Sequence, residues 1–213
     1  MNRLKANIIS LNVGKPRTLN GLNQTIVTAI EKKSIDQQIF LAKEQLDGDE
    51  QADKVHHGGP DKAVCVYSFN HYPYWEEKLS KKLSPGAFGE NLTVKGLLED
   101  EVHIGDLFRW GEAQVQISQP RKPCHKLAKR FEIPTLVKQV SDSGYTGFYF
   151  RVIKEGMVSA DTPLQFIKRF SDVSLAEVNE TFYHKHSDEA SVSRIASIPE
   201  LADSWSEMME NQL

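Results

Sequence analysis

The sequence predicts a mainly β protein with peripheral helices and a small helical subdomain at its carboxyl end. From residue 4 to about 168, short apolar runs alternate with Gly, Pro, Asp and Asn turns, which is typical of a β-barrel or sandwich rather than of repeated βαβ units. After about residue 170, helix-capping residues and apolar positions at helical spacing replace this pattern. We therefore divide the chain into a β domain at 1–168 and a three-helix subdomain at 169–213.

Eight strands are expected in the β domain. The apolar run at 63–67 predicts a strand buried on both faces, and the alternation of apolar and polar residues at 113–118 predicts a half-exposed strand. Gly111 and Glu112 predict the hairpin turn that joins this second strand to another at 107–110. The remaining strands are expected at 5–11, 38–42, 91–94, 147–153 and 164–170.

Helices are expected at 71–83, from about Cys124 onwards, and three times after residue 170. Ser174 and Glu177 form a capping-box pattern, Ser187 or Asp188 is suited to cap the second carboxyl-terminal helix, and Pro199 predicts the first turn of the third. Three such short helices bury too little surface to fold alone. We expect them to pack on the β domain or on a second subunit, which would make the protein a homodimer.

The composition is that of a folded globular protein, with 39% hydrophobic and 9% aromatic residues among 213. The net charge of −3 argues against binding to nucleic acid. The sequence has no apolar run near the roughly 18 residues of a membrane span and no secretory signal, and two cysteines cannot form a disulfide framework. We therefore expect a cytoplasmic protein with no membrane partner.

The segment QPRKPCHKLAKRF at 119–131 carries the strongest chemical signal. Pro123 and the helical character of the following residues place Cys124 at a helix amino end, where free N–H groups and the helix dipole favour an anion. Nearby positive charges favour the thiolate form further. Cys124 is thus expected to act as a nucleophile or as a ligand for a soft metal. Cys65, within an apolar strand, is expected to be an inert buried thiol.

Two glycine-containing loops supply further candidates. In KVHHGGPDKAV at 54–64, the glycines allow a ligand to approach the main chain, and His57, Asp61 and Lys62 supply polar groups to a pocket wall. Adjacent histidines without a CxxC motif are a poor zinc pattern. In PGAFGENLTV at 85–94, Glu90 and Asn91 precede a strand, although this pattern alone also fits a tight loop.

Three motifs in this order, HHGGPDKA, GAFGENLTV followed by GLLEDEVHIGDLFRWG, and QPRKPCHKL, resemble MOSC-domain proteins of the YiiM-like branch. The motifs span residues 56–131, and the helical tail is similar to the three-helix domain of that branch. This resemblance implies a MOSC-type β-barrel that binds the molybdenum cofactor, a molybdopterin, with Cys124 as the metal ligand. It also implies reduction of N-hydroxylated small molecules such as hydroxylaminopurine-type base analogues.

The resemblance assigns expected roles to the candidate residues. A thiolate suits molybdenum, and basic side chains suit the pterin phosphate. The residues expected at the cofactor are Arg121, Lys122, Lys62 and Glu90. Those expected to orient substrate or to deliver a proton are His57, Asp61 and Asn91. Because the sequence has no flavin, haem or iron–sulfur motif, an external electron-donor protein is the expected partner.

Three other functions stay open at this point. Cys124 could carry a persulfide for sulfur transfer. It could also be the nucleophile of a hydrolase with His57 or His125 as base, although no oxyanion-binding or orienting partner is recognisable. Finally, the protein could be a non-catalytic anion-binding module.

Overall fold

The structure is a computed structural model that describes residues 5–21, 24–53, 58–185 and 188–213. Its strands are β1 (Lys5–Val13), β2 (Arg17–Gly21), β3 (Gln24–Thr28), β4 (Lys33–Ile35), β5 (Ile39–Leu41), β6 (Val64–Ser68), β7 (Leu92–Lys95), β8 (Leu107–Trp110), β9 (Ala113–Pro120), β10 (Phe148–Lys154), β11 (Gly156–Val158) and β12 (Leu164–Lys168). Its helices are α1 (Tyr72–Leu79), α2 (His125–Phe131), α3 (Leu136–Ser143), α4 (Leu175–Tyr183), α5 (Glu189–Ala196) and α6 (Asp203–Glu210).

Seven of these strands close into a barrel, in the order β1, β7, β6, β10, β9, β8, β12 and back to β1. Neighbouring barrel strands are antiparallel except β6 and β7, which run parallel. The predicted β-barrel with peripheral helices and a carboxyl-terminal helical part is therefore confirmed. None of the helices in the described ranges is long and apolar enough to cross a membrane.

The eight predicted strands are all present, with shifted ends. The hairpin β2–β3 and the three-residue strands β4 and β11 were not predicted, and β5 pairs with β11 outside the barrel. The prediction that 113–118 is half-exposed is wrong, because seven of the eight residues of β9 are buried. Their polar groups are satisfied internally: the Ser118 hydroxyl donates to the carbonyl oxygens of Asp61 and Tyr149, at 2.6 and 3.1 Å.

The helix ends depart from the prediction at two places. Helix α1 ends at Leu79 because Ser80 adopts a left-handed conformation with φ of 49°, so 81–83 lie outside it. Helix α6 begins at Asp203 and not near Pro199. The caps of the two preceding helices are as predicted, since the side chains of Ser174 and Asp188 accept hydrogen bonds from the backbone N–H groups of Glu177 and Ser191.

Two hydrophobic clusters position the elements. The first is continuous from the barrel interior to α4, α5 and α6, so the carboxyl-terminal helices pack on the barrel, one of the two arrangements predicted. The second lies between the barrel and α1, α2 and α3, and its aromatic centre includes Tyr67 stacked on Phe88 at 4.4 Å between ring centroids. This second cluster fixes the 84–90 loop and α2, which both border the candidate site.

Candidate active site

An open cavity of about 570 Å³, including its mouth, lies beside the amino end of α2. Its described walls come from 28–32, 49–53, the loop before β7, and the paired strands β6 and β10. The side chains and backbone that line it include Cys124, Cys65, Arg121, Tyr149, Asn91, Gly89, Lys62, Lys126, Lys32 and Asp49. Both cysteines of the chain therefore border one cavity.

Cys124 is the N-cap residue of α2, as the sequence predicts. Its backbone is extended, with φ of −120° and ψ of 163°, and its carbonyl accepts a hydrogen bond from the Leu127 N–H at 3.0 Å. The side chain makes no capping hydrogen bond and forms no disulfide. Cys124 thus begins the helix through its backbone carbonyl alone, and its half-buried side chain lines the cavity.

Arg121 is the most unusual charge at the site. Its backbone N–H donates to the Gly147 carbonyl at 2.9 Å, which fixes the chain just after β9, and the residue is only 8% exposed. No residue in the described part of the chain accepts a hydrogen bond from its guanidinium. Burial alone would lower the pKa of Arg121, but nearby Cys65, Tyr149 and Cys124 raise it overall. A buried cation with five donors and no acceptor among the described residues is suited to an anionic ligand.

Cys65 and Tyr149 form the wall beside Arg121. They are cross-strand partners on β6 and β10, and they are 5% and 9% exposed. Burial, followed by the interaction with Cys65, raises the pKa of Tyr149, and burial also raises the pKa of Cys65. Both groups are therefore neutral at physiological pH. Cys65 is buried as expected, but its place at the cavity was not anticipated.

Glu90 and Asn91 have side chains that the fold itself uses. The buried Glu90 carboxylate accepts hydrogen bonds from the Tyr72 hydroxyl, from the N–H groups of Gly86 and Phe88, and from Thr93. It is not among the described lining residues; it fixes the 84–90 loop that brings Gly89 to the cavity.

The Asn91 side chain lines the cavity and ties three segments together. Its amide nitrogen donates to the Asp49 carboxylate at 2.9 Å and to the Asn12 carbonyl at 3.2 Å, and its oxygen accepts from the Cys65 N–H at 3.0 Å. The geometry gives Asn91 a positioning role in the wall that carries Cys65.

The lysines of the cavity lie close to carboxylates. Lys32 and Asp49 form a buried ion pair, and the Lys126 ammonium is 3.8 Å from an Asp53 oxygen. Burial lowers the pKa of Lys62, and the charges of Asp61 and Asp53 oppose this effect. The lysine charges are thus largely balanced, in contrast with that of Arg121.

Besides Glu90, two predicted site residues that the structure describes are not among the lining residues of the cavity. Lys122 lies over the carboxyl-terminal helices, with its ammonium 5.5 Å from the ring centroid of Phe182. Asp61 accepts a hydrogen bond from Arg151 at 2.6 Å and, like Lys122, is not among the described lining residues. His57 lies outside the described residues.

Helix α2 is anchored to two walls of the cavity by a residue that the sequence analysis did not single out. One guanidinium nitrogen of Arg130 donates to the carbonyls of Ile30 and Gly86, at 2.6 and 2.9 Å. Its position in the last turn of α2 does not indicate this role, because the acceptors lie 100 and 44 residues away in the chain.

The chain forms a mixed seven-stranded barrel with a cysteine that lines a cavity, and the MOSC domain model matches residues 53–165. The model of the YiiM-like 3-alpha helix domain matches residues 173–213. The chain therefore belongs to the MOSC-domain family, in its YiiM-like branch.

Similar proteins support this membership over nearly the whole chain. An uncharacterized protein of Bacillus subtilis, YflK, is 49% identical over 206 residues, covering 96% of this chain and 93% of YflK. Protein YiiM of Escherichia coli is 41% identical over 189 residues, covering 87% and 84%. A protein of Gibberella moniliformis named Reductase is 33% identical over 152 residues, covering 70% of this chain and 27% of the reductase.

The crystal structure of YiiM from Geobacillus stearothermophilus superimposes with a TM-score of 0.84 at 38% identity, covering 98% of this chain and 99% of that one. The barrel and the three helices are thus shared with a solved structure of the same branch.

Proposed function

We propose that the protein binds the molybdenum cofactor in this cavity, with Cys124 as the metal ligand, and reduces N-hydroxylated compounds of the hydroxylaminopurine type. The observation that carries the proposal is the combination of a thiol unused by the fold with a buried guanidinium that has no acceptor in the described chain. Membership of the MOSC family and similarity to a protein named Reductase agree with an oxidoreductase.

The residues present fit the cofactor. The Cys124 thiolate is a soft donor suited to molybdenum, and the Arg121 guanidinium can bind an anionic oxygen through two parallel hydrogen bonds. Lys62 and Lys126 line the same cavity beside their carboxylate partners, and Gly89 lets a ligand approach the backbone. When bound, the cofactor supplies two-electron redox chemistry at the metal. The protein's own part is to hold, orient and partly desolvate the reactants.

The reaction requires a partner. Conversion of an N-hydroxyl group to an amine and water consumes two electrons and two protons. Both cysteines of the chain border the cavity, so none is left to hold an iron–sulfur cluster elsewhere. We therefore assign the electrons to an external electron-donor protein and the protons to solvent.

The test uses wild type, Cys124→Ala and Cys65→Ala, each purified from a host that makes the cofactor. Molybdenum is measured by mass spectrometry and pterin by fluorescence. The rate of hydroxylaminopurine reduction is measured with reduced viologen as the electron donor. Cys124→Ala should retain roughly a tenth or less of the wild-type molybdenum and show no measurable reduction. Cys65→Ala should keep the metal. The proposal would be overturned if the wild type held no molybdenum, or if Cys124→Ala held as much molybdenum as the wild type.

Sulfur transfer is the second candidate, and the presence of two thiols on one cavity favours it. A persulfide is a covalent addition to the thiol, so intact-protein mass spectrometry distinguishes the candidates. One added sulfur atom on Cys124, without pterin or molybdenum in the wild type, would support the carrier and contradict the reductase.

A further inference from the structure

We propose that Tyr149 is a catalytic residue of this site, and that its phenol donates a hydrogen bond to the oxygen of the N–O bond that breaks. The inference rests on the proposed function. It concerns a residue to which neither the sequence motifs nor the family membership assigns a role.

The first argument is the placement of the phenol. Tyr149 is on β10, where its cross-strand partners are Cys65 on β6 and Gln119 on β9. It lines the same cavity as Cys124 and Arg121 and is more than nine-tenths buried. Both residues also interact electrostatically with the phenol, in agreement with its place in the lining of this cavity.

The second argument is that the phenol is poorly satisfied by the protein. Buried tyrosine hydroxyl groups normally have a strong hydrogen-bond partner. The cross-strand partner of Tyr149, Cys65, carries a thiol, which is a weak donor and a weak acceptor. A ligand oxygen in the cavity is a better acceptor than a thiol. The phenol is therefore available to a ligand.

The third argument excludes the neighbouring donors. Lys126 interacts with Asp53, and Lys62 interacts with Asp61 and Asp53. Lys32 is held in its ion pair with Asp49. Arg121 is available but is a permanent cation suited to the anionic cofactor. Tyr149 is then a neutral donor beside Cys65, since burial keeps it protonated by raising its pKa.

The chemistry gives such a donor a defined role. The substrate R–NH–OH, two electrons from the external donor protein and two protons from solvent yield R–NH₂ and water; the N–O bond breaks while an N–H and an O–H bond form. Negative charge develops on the departing oxygen. A fixed donor in a desolvated cavity stabilises that charge more in the transition state than in the ground state, and so raises kcat rather than lowering KM.

The experiment compares Tyr149→Phe with Tyr183→Phe, which makes the same chemical change at a partly buried tyrosine on α4 outside the cavity. Molybdenum and pterin content, kcat, KM and the solvent isotope effect on kcat are measured for reduction of hydroxylaminopurine with reduced viologen. Tyr149→Phe should keep its cofactor and lose roughly 100-fold in kcat, with little change in KM and an altered isotope effect. Tyr183→Phe should match wild type.

A second variant distinguishes loss of the hydrogen-bond donor from misfolding of the site. Tyr149→His keeps a ring N–H donor, so it should recover part of the activity lost in Tyr149→Phe. Wild-type kcat in Tyr149→Phe, or loss of molybdenum and pterin together with activity, would overturn the inference while leaving the proposed function intact. Wild type that holds no molybdenum, or does not reduce the substrate, would instead reject the proposed function, and the role of Tyr149 with it.

Discussion

Gly89 illustrates how one backbone position shapes the cavity. Its φ is +80°, and a Cβ atom added there would lie 2.7 Å from Cγ1 and 3.2 Å from the carbonyl oxygen of Ile30, another lining residue. Gly144 also has a left-handed backbone, with φ of +70°, but an added Cβ would meet no atom within 4 Å. Comparing alanine substitutions at the two glycines therefore distinguishes the cost of steric overlap, present only at Gly89, from the cost of backbone strain, present at both.

We expect Gly89→Ala to lower the free energy of unfolding by about 1–3 kcal/mol more than Gly144→Ala does, because only the former adds overlap in a packed wall to the backbone strain. It should also reduce the molybdenum content, since Ile30 must shift. Urea unfolding and metal analysis of the two variants check this. Equal stability losses would mean that Ile30 yields without cost.

His103 gives the molecule a dependence on pH. Its Nε2 accepts a hydrogen bond from Arg169 at 3.4 Å, which only the neutral imidazole can do. Burial, followed by the charge of Arg169, lowers the pKa of His103, while Asp106, Asp172 and the Glu101 carbonyl oppose this. Between the folded pKa and the unfolded value of about 6.5, the unfolded chain binds more protons, so stability falls as the pH falls through this range.

Replacing His103 by Gln should therefore make the urea midpoint less sensitive to acidification from pH 7 to pH 5. The difference between wild type and variant, measured at several pH values, isolates this residue from the carboxylates that also titrate. The same substitution at the exposed His184 is the control. A wild-type midpoint that falls no more steeply than that of the His103 variant would contradict the assignment.

Local signals in the sequence account for Cys124 but not for Tyr149. The position of Cys124 follows from Pro123 and the helical pattern after it, both within a few residues. Tyr149 reaches the site because β10 pairs with β6 in one register, a relation between residues 84 apart in the chain that no local pattern contains. The same limit applies to Asn91, which was expected to orient substrate or deliver a proton and is found bonding the distant backbone of Asn12 and Cys65.

Among the elements, α2 depends most on tertiary contacts. Seven residues are too few for a stable isolated helix. Its docking to the 28–32 and 84–90 walls relies on the two hydrogen bonds from Arg130, whose pKa burial lowers. Because Cys124 caps this helix, any displacement of α2 moves the thiol.

Arg130→Met should cost about 2–3 kcal/mol in the free energy of unfolding, because it removes charged hydrogen bonds and leaves two carbonyls without a donor. It should also reduce molybdenum retention. Lys129→Met, a neighbouring substitution of a basic residue on the same helix, should change stability by only about 0.5 kcal/mol. Urea unfolding and metal analysis test the pair. Equal effects of the two variants would show that the Arg130 contacts do not hold the helix.

The elements that were not predicted from the sequence differ in how much signal they carry. Strands β4 and β11 have three residues each, too few to show an alternation. Helix α3 was not predicted, although its pattern indicates a helix: Leu136 and Val140 lie one turn apart, and Gly144 follows the last helical residue. The alternation of apolar and polar residues in β9 predicts one solvent-exposed face, and this prediction is wrong. The polar side chains are buried because the carbonyls of Asp61 and Gly105 accept hydrogen bonds from Ser118 and Gln116.

Across the whole molecule, the barrel and the carboxyl-terminal helices act as one folded body. The backbone N–H groups of Leu175 and Ala176 donate to the carbonyls of Val102 and Glu99, at 3.0 and 2.7 Å. The buried Glu99 carboxylate in turn bonds His71 and the Gly147 N–H. Glu99 thereby connects α4, α1 and the start of β10, which carries Tyr149.

This shared core predicts a single unfolding transition for the described barrel and its helices. Trp205 of α6 is fully buried in the same cluster as the barrel residues, so Trp205→Ala should destabilise both parts by about 3–5 kcal/mol. Hydrogen exchange of amides in β9 and in α5 should then accelerate equally, and exposed Leu213→Ala should leave both unchanged. If α5 exchanged faster while β9 kept its protection, the helices would be a separate folding unit. Their packing would then contribute nothing to the stability of the barrel that holds the cavity.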